Sequence, residues 1–340
     1  MSDAPPMTMA QALGPIPDFV CEQMGERALL KALENAGLSI DSFNEKVGYV
    51  PEIAIDRFLE GAARQSGDSL FGLKVAPLLS VRDYGLWGDY VLAARCLGDA
   101  IARAIRTIGI HASGDELFVR AGTTTRKFCY RFAERDGIGY RQVAVVAAGA
   151  TMSVPQHYLG EAWHPVSVGL DIPAGVHRER IEEAFGCPVY FNRDCIEIEI
   201  ETHHWKRSNP VANQDLTLTA HDVRRAFAGG PPHQFPQVVA SLLHQNLGQT
   251  TTDLDAVAYT LNVSRRTLQR RLKVDGTSFR NVLGHVKMRR ATELLTDSAL
   301  SIFDVAIFLN YSTTGHFIRA FKAKFGLTPG EYRSHIAIAE

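Results

Sequence analysis

The chain has 340 residues, of which 46% are hydrophobic and 21% charged, and its formal net charge is −1. This composition excludes a disordered or fibrous protein, and the length exceeds what one hydrophobic core usually holds, so we expect two domains. No apolar run reaches the roughly 18–20 residues needed to cross a bilayer, and residues 1–10 lack the basic and apolar segments of a signal peptide. We therefore expect a soluble cytoplasmic protein without membrane contact.

The cysteines give no sign of a disulfide framework or a metal site. They are odd in number, scattered and never arranged as C-x-x-C: Cys21, Cys96, Cys129, Cys187 and Cys195. Disulfide-rich domains and zinc sites need paired or clustered cysteines. We expect buried free thiols, no metal ion and no cofactor.

Residues 1–228 alternate helical and strand patterns, which predicts an α+β domain that serves as the sensing part of the protein. The predicted helices are Glu26–Asn35, Ile53–Gln65, Ser69–Leu79, Leu97–Ile108, a buried Gly137–Met152 and Arg178–Phe185. The predicted strands are a hairpin of Glu116–Ala121 and Lys127–Ala133, then Val166–Ile172, Pro188–Phe191 and Cys195–Glu201.

A pocket for a small effector is expected in this α+β half. Its candidate wall residues are the aromatic side chains Trp87, Tyr90, Phe128, Tyr130 and Phe132, although aromatic residues at this spacing also suit a plain core. Because no charged cluster is evident in the sequence, we expect an apolar or amphipathic effector.

Motifs of catalysis are absent from the whole sequence. It contains no nucleophile elbow, H-E-x-x-H, P-loop or G-x-G-x-x-G pattern, so we do not expect an enzyme. His203 and His204 are adjacent and are interpreted as strand residues, whose side chains point to opposite faces and do not share a metal ion.

Charge changes sign at the Gly229–Pro232 run, which we interpret as part of a linker over residues 229–235 between domains 1–228 and 236–340. From Pro231 onward there are 13 Lys and Arg against 8 Asp and Glu. Subtraction from the totals of 36 and 37 leaves 23 basic against 29 acidic residues before it, so the two parts carry +5 and −6. Clustered Lys and Arg favour nucleic acid as a partner.

The basic part contains an internal repeat. Val257–Ser264 recurs 48 residues later as Val305–Ser312, with five of eight positions identical. Each copy predicts a helix, a tight turn and a second helix, and Asn262 and Asn310 occupy the turn, where asparagine tolerates positive φ. The sequence therefore predicts an all-α domain with two helix-turn-helix units.

Hydroxyl side chains mark the predicted starts of these helices. Thr252 and Ser301, each followed three residues later by Asp, predict capping boxes on the first helices. Ser264 and Ser312 are predicted N-caps of the second helices.

The second helix of the first unit has two contrasting faces. Leu268 and Leu272 lie four residues apart and are predicted to point inward. The predicted DNA-facing side chains are Arg265, Arg266, Gln269, Arg270 and Lys273. Arg can bond guanine and Gln can bond adenine in the major groove, whereas Lys273 suits a phosphate.

The second unit repeats this pattern with aromatic core residues. Phe317, Phe321 and Phe325 are predicted to be buried. The predicted DNA-facing side chains are Thr313, Thr314, His316, Arg319 and Lys322.

A helical pattern over Phe279–Thr296 connects the two units, with Lys287, Arg289 and Arg290 predicted to be exposed. Eighteen residues span roughly 27 Å, and major grooves on one face of DNA repeat every ~34–36 Å. We therefore expect one chain to enter two consecutive major grooves.

The last ~100 residues resemble the DNA-binding domain of the AraC/XylS family of bacterial transcription regulators. The matching features are a first helix over Pro236–Gly248, the stretch Ser264-x-Arg266-x-Leu268-x-Arg270, and the closing Phe317-x-Arg319-x-Phe321-x-x-x-Phe325-Gly326-x-Thr328-Pro329-x-x-Tyr332-Arg333. By resemblance, Arg266, Gln269 and Arg270 contact bases in the first unit, and Thr314, His316 and Arg319 in the second. The sequence departs from the family pattern at Asn310, where Gly is usual, and at Gly315, where Ser is common.

The first half is similar to the arabinose-binding-type N-terminal domain of one branch of this family. The similarity rests on Asp68–Leu73, Tyr84–Gly88 and Phe185–Phe191. It does not imply arabinose, and it differs from the cupin barrel of the founding regulator.

The family resemblance implies a sequence-specific transcription regulator, an activator that binds promoter DNA and acts on RNA polymerase under control of a small effector. We expect a homodimer, with the strand Ile196–Ile200 or a helix over Val211–Phe227 as candidate interfaces. Two alternatives remain open: a constitutive regulator whose first half only dimerises, and an enzyme fused to a DNA-binding tail.

Overall fold

The chain divides into two units, Pro5–Pro232 and His233–Glu340. The structure is a computed structural model that describes residues 4–40, 48–135, 137–175, 177–211, 217–227, 229–247, 253–297 and 299–339. No helix within these ranges combines the length and the apolar character that crossing a membrane would require.

The first unit is α+β, as predicted. Its helices are α1 (Ile16–Met24), α2 (Glu26–Ala36), α3 (Glu52–Ser66), α4 (Phe71–Val75), α5 (Gly85–Leu92), α6 (Leu97–His111), α7 (Tyr140–Leu159), α8 (Arg178–Phe185) and α9 (Ala220–Ala226). Its strands are β1 (Met7–Met9), β2 (Tyr49–Pro51), β3 (Glu116–Ala121), β4 (Thr125–Arg131), β5 (Ser167–Gly169), β6 (Val189–Tyr190) and β7 (Ile196–Glu201). Short 3-10 helices cover Ala10–Leu13, Ala76–Leu78, Val81–Tyr84 and Thr202–Lys206.

Five of the strands form a mixed sheet in the order β3-β4-β7-β5-β6, and β1 pairs with β2 separately. All neighbours in the larger sheet are antiparallel except β5 and β6. Because β7 lies between β4 and β5, both of its edges are already hydrogen-bonded. The Ile196–Ile200 strand is therefore not available for edge-to-edge pairing with a second subunit, and its role as an interface stays a prediction.

The second candidate interface is also altered. The predicted helix over Val211–Phe227 is present as α9, Ala220–Ala226, which is capped by Thr219 and Asp222. Residues 212–216 lie outside the described residues.

Helix α7 is the central buried helix and packs against α3, α4, α6 and β7. It begins at Tyr140 rather than at Gly137, and the backbone of the preceding residue, Gly139, lies against the carbonyl of Asp56 with no room for a Cβ atom. It also continues past the predicted end at Met152, through Pro155, to Leu159, since Val154 and Tyr158 add two more buried side chains.

The Asp68–Leu73 motif contains one position, Gly72, that requires glycine. The amide of Gly72 donates a hydrogen bond to the side-chain oxygen of Gln142 on α7 at 2.7 Å. A Cβ atom on Gly72 would lie 2.6 Å from the Gln142 carbonyl oxygen, so only glycine permits this close approach. The predicted helix Ser69–Leu79 is divided at Val75, because Pro77 follows in a 3-10 turn and lacks an amide donor.

The second unit is all-α. Its helices are α10 (Phe235–Gln245), α11 (Leu254–Thr260), α12 (Arg265–Val274), α13 (Phe279–Asp297), α14 (Ile302–Phe308), α15 (Thr314–Phe325) and α16 (Pro329–Ala339). Helix α10 begins one residue before the predicted Pro236, because Pro236 takes an early position of the first turn, where a missing amide is harmless. The predicted end at Gly248 lies outside the described residues.

Candidate nucleic-acid interface and ligand cavity

The first helix-turn-helix unit consists of α11 and α12. Asp253 caps α11 by accepting from the Ala256 amide at 2.8 Å, and the predicted cap, Thr252, lies outside the described residues. Asn262 has φ of 53° in the turn, as predicted. Ser264 caps α12 by accepting from the Thr267 amide at 3.1 Å.

The second unit, α14 and α15, repeats this arrangement with one shift. Ser301 and Asp304 form the predicted capping box, and Asn310 has φ of 53°. The predicted N-cap Ser312 was wrong, because Thr313 accepts from the His316 amide at 3.2 Å. The Ser312 hydroxyl lies 2.9 Å from the His316 ring nitrogen Nδ1, so α15 starts one residue later than the repeat predicts.

Each second helix is anchored by buried apolar residues. Leu268 and Leu272 on α12, and Phe317 and Phe321 on α15, have no exposed surface. Phe325 was predicted to be buried but is 37% exposed, since it lies at the helix end, although its ring contacts Phe321 and Tyr332.

Helix α12 presents a strongly basic outer face. All five predicted side chains are exposed: Arg265, Arg266, Gln269, Arg270 and Lys273. Arg265 pairs with Asp255 of α11 at 3.0 Å, whereas Arg271 turns inward over the Phe235 ring at 5.3 Å. No ion pair with Arg266, Arg270 or Lys273 is seen among the described residues, which leaves these cations on the surface.

The outer face of α15 is less basic. Thr313, His316, Arg319 and Lys322 are exposed, and Thr314 is half-buried. The hydroxyl contact of His316 fixes its ring beside the turn.

Helix α13 connects the two units over 19 residues, or about 28 Å. Lys287 was predicted to be exposed but is half-buried, because its ammonium group donates to the Asn310 carbonyl at 3.1 Å and lies 4.8 Å from the Tyr311 ring. Arg290 is also half-buried, beside Phe308, and Arg289 is exposed as predicted. The connector is thus bonded directly to the turn of the second unit, which restricts their relative orientation.

A cavity of about 80 Å³ lies inside the first unit. Four of the five predicted aromatic residues line it: Trp87, Phe128, Tyr130 and Phe132. Tyr90 does not, because its ring lies under the Arg103 guanidinium at 4.7 Å elsewhere on α5.

An aromatic group with a buried histidine forms one part of the cavity wall. The Trp87 ring stacks on the His111 ring with centroids 5.0 Å apart, and Tyr84 lies 4.7 Å from His111. Burial lowers the pKa of His111 to about 4, so its ring is neutral at physiological pH.

Acidic residues also line the cavity, and the sequence analysis missed them. Glu52 and Asp56 on α3 and Glu134 after β4 belong to the wall. Burial raises the pKa of Glu52 well above its usual range and that of Asp56 to about 7. The expectation of an apolar or amphipathic effector rested on the absence of a charged cluster in the sequence, and the fold assembles one from distant positions. The signal was the i, i+4 spacing of Glu52 and Asp56 on the apolar face of α3.

Two cysteines that are 66 residues apart come together on the sheet. The sulfur atoms of Cys129 and Cys195 and a carboxylate oxygen of Glu197 lie within 4.8 Å of one another. The cysteines are free thiols. Both Glu197 oxygens already accept hydrogen bonds, from Arg120 at 2.6 Å and from Lys127 at 2.8 Å, so a metal ion would have to displace these cations.

His203 and His204 were interpreted as strand residues, and this was wrong. They lie in the 3-10 helix Thr202–Lys206, where adjacent side chains do not alternate between faces, and their ring centroids are 3.9 Å apart. Trp163 packs edge-on against His204 at 6.4 Å. The pair therefore forms an aromatic cluster.

Two helix-turn-helix units with a basic recognition helix define the class of DNA-binding transcription regulators. Residues 257–335 match the family described as "Helix-turn-helix domain", and residues 28–209 match "Arabinose-binding domain of AraC transcription regulator, N-term". The match over residues 28–209 spans more than half of the sequence. The chain belongs to the AraC family of transcription regulators, which are not enzymes.

Similar proteins are found along nearly the full length. The ornithine utilization regulator of Pseudomonas aeruginosa is 27% identical over 336 residues, covering 96% of each chain. The HTH-type transcriptional regulator VirS of Mycobacterium tuberculosis is 24% identical over 311 residues, covering 87% of this chain and 86% of VirS. The crystal structure of the transcriptional regulator CdpR from Pseudomonas aeruginosa is 26% identical, covers 91% of this chain and 97% of its own, and gives a TM-score of 0.42.

Proposed function

We propose that this regulator binds promoter DNA through both helix-turn-helix units and that a small molecule in the cavity of the first unit controls it. The basic outer face of α12 carries the proposal most directly, because four cations and one glutamine are exposed on a helix whose other face is anchored by Leu268 and Leu272. Family membership supports an activator that works on RNA polymerase as a homodimer.

The proposed contacts follow from the chemistry of each side chain. Arg266 and Arg270 suit the guanine edge, Gln269 suits adenine, and Lys273 at the end of α12 suits a phosphate. Arg265 has to leave Asp255 before it can contact DNA. The second reading face, the surface of α15 proposed to contact bases, consists of Arg319 and the polar groups Thr313, Thr314 and His316. Lys322 is proposed to contact the DNA backbone.

Effector control is supported by the cavity and by one relative. The cavity contains both aromatic and ionisable side chains, as ligand sites do. The ornithine utilization regulator is named for the use of a small metabolite, and its similarity covers nearly the whole of this chain.

Two variants of α12 distinguish a contact with DNA bases from a contact with the DNA backbone. We expect Arg270→Ala to cost about 1–3 kcal/mol on the cognate site and much less on random DNA, because it removes a base contact. We expect Lys273→Ala to weaken binding to all sequences and to reduce the salt dependence by about one unit, because it removes a phosphate contact.

Fluorescence anisotropy on a duplex selected from a random pool by the wild-type protein, at several salt concentrations, measures both effects. Val274→Ala, an 81% exposed uncharged position on the same helix, is the control. Equal losses for Arg270→Ala on cognate and random duplexes would contradict its role in reading bases.

A further inference from the structure

The charge of the cavity wall is one-sided. Glu52, Asp56 and Glu134 line it, and neither Lys nor Arg does so among the described residues. Among the described residues that line it, the one basic side chain is His111, which burial keeps neutral. Any charged group that enters therefore meets carboxyl groups, and the cation whose charge acts on Asp56, Arg57, does not line the cavity.

Glu52 has another carboxyl group, Asp115, as its hydrogen-bond neighbour and receives no donor from the surrounding protein among the described residues. It is only 7% exposed, and neither of its carboxyl oxygens accepts a hydrogen bond from a described residue. The nearby Asp115 is already occupied, because its oxygens accept from the Tyr130 hydroxyl at 2.6 Å and from the Ala133 amide at 2.9 Å. A buried carboxyl group without donors is costly, and a ligand that donates hydrogen bonds removes that cost.

Asp56 is held in place one turn further along α3. It is 5% exposed, and the Gly137 backbone packs so closely on its carboxyl group that a Cβ atom would collide with Oδ2. Glu134 is exposed, so the acidic group extends from the interior to the surface. A cation entering past Glu134 would then meet Asp56 and Glu52.

The remainder of the wall suits a short apolar body. Trp87 and Phe128 are almost fully buried, and aromatic faces attract cations as well as hydrocarbon. A volume of about 80 Å³ accommodates several water-sized groups, which favours a ligand of few heavy atoms.

We propose that this cavity binds a small organic cation, a protonated amine or a guanidinium on a short hydrocarbon chain, with Glu52 and Asp56 as its acceptors. The inference rests on the proposed function only in taking the cavity as the effector site. It adds the chemical class of the ligand.

Three probes of equal length and different charge test the class. Isothermal titration calorimetry of the full chain with n-pentylamine, pentan-1-ol and pentanoate compares a cation, a neutral molecule and an anion. We expect pentylamine to bind at least about tenfold more tightly than either analogue, because its ammonium group brings a positive charge and three donors to Glu52, whereas the alcohol has one donor without charge and pentanoate has none. Equal or tighter binding of the alcohol or the acid, or no binding of the amine at millimolar concentration, would overturn the proposal.

Isosteric variants locate the site. We expect Glu52→Gln and Asp56→Asn each to lose about tenfold or more in amine affinity, while pentan-1-ol binding stays unchanged. Glu179→Gln, an exposed carboxylate on α8 outside the cavity wall, is the charge-matched control. Tryptophan fluorescence confirms that each variant is folded. Unchanged amine affinity in both cavity variants would place the ligand elsewhere.

Anisotropy with the selected duplex distinguishes this inference from the proposed function. Amine binding that leaves DNA affinity unchanged would support the cation site and contradict effector control. A neutral metabolite that shifts DNA affinity while the amine does not bind would do the reverse.

Discussion

Replacement of Phe321 with alanine is expected to lower the free energy of unfolding of the His233–Glu340 unit by about 3–5 kcal/mol. Phe321 has no exposed surface and lies at the centre of an aromatic cluster. Its ring centroid is 5.8 Å from Phe317, 4.5 Å from Phe325 and 5.4 Å from Tyr332. Its loss leaves a cavity beneath α15, the helix that presents the second reading face.

The two units can be followed separately in the full chain. All three tryptophans, Trp87, Trp163 and Trp205, lie in the first unit, so their fluorescence reports only on that unit. Guanidinium titrations monitored by circular dichroism at 222 nm also detect the helical unit. Phe303→Ala removes the same ring at a position that is 59% exposed on α14, and we expect it to cost less than about 1 kcal/mol. Equal effects of the two substitutions would refute the packing of Phe321.

The second large effect concerns Asp56 and pH. Burial raises the pKa of Asp56 from 3.8 to about 7, with a further contribution from the charge of Glu134 and an opposing one from Arg57. Between these two pH values the folded protein retains a proton that the unfolded chain releases. Asp56 therefore makes its full contribution to the free energy of unfolding below pH 4. That contribution, about 4 kcal/mol, is lost as the pH rises to 7.

Asp56→Asn removes this dependence because asparagine does not titrate. The free energy of unfolding of the variant minus that of wild type is therefore expected to rise by about 3 kcal/mol between pH 5 and pH 8. Urea titrations monitored by tryptophan fluorescence across this range measure the difference, and Asp89→Asn, at an exposed position of the same unit, controls for the loss of one negative charge. A constant difference between Asp56→Asn and wild type would contradict the raised pKa.

Local patterns in the sequence predicted much of the two helix-turn-helix units. The repeat at Val257 and Val305, the asparagines with positive φ and the spacing of Leu268 and Leu272 are short-range features, and the structure contains all of them. The shift from Ser312 to Thr313 was not predictable, because either residue can cap a helix and the choice depends on the contact of Ser312 with His316.

Long-range assembly was not predictable from the same patterns. Helical and strand periods do not give the strand order, so they did not reveal that β7 is central. Glu52, Asp115 and Glu134 come from three separate segments and meet only after α3 packs beside the sheet and α7. Cys129 and Cys195 are brought together in the same way, by the pairing of β4 with β7.

Hydroxyl-radical footprinting of the full chain on a duplex with one selected site tests the central claim most directly, that one chain reads two consecutive major grooves. We predict protection in two windows about one helical turn apart, with Arg319→Ala weakening one window and Arg270→Ala the other. Protection of a single groove, or equal weakening of both windows by either substitution, would contradict the account.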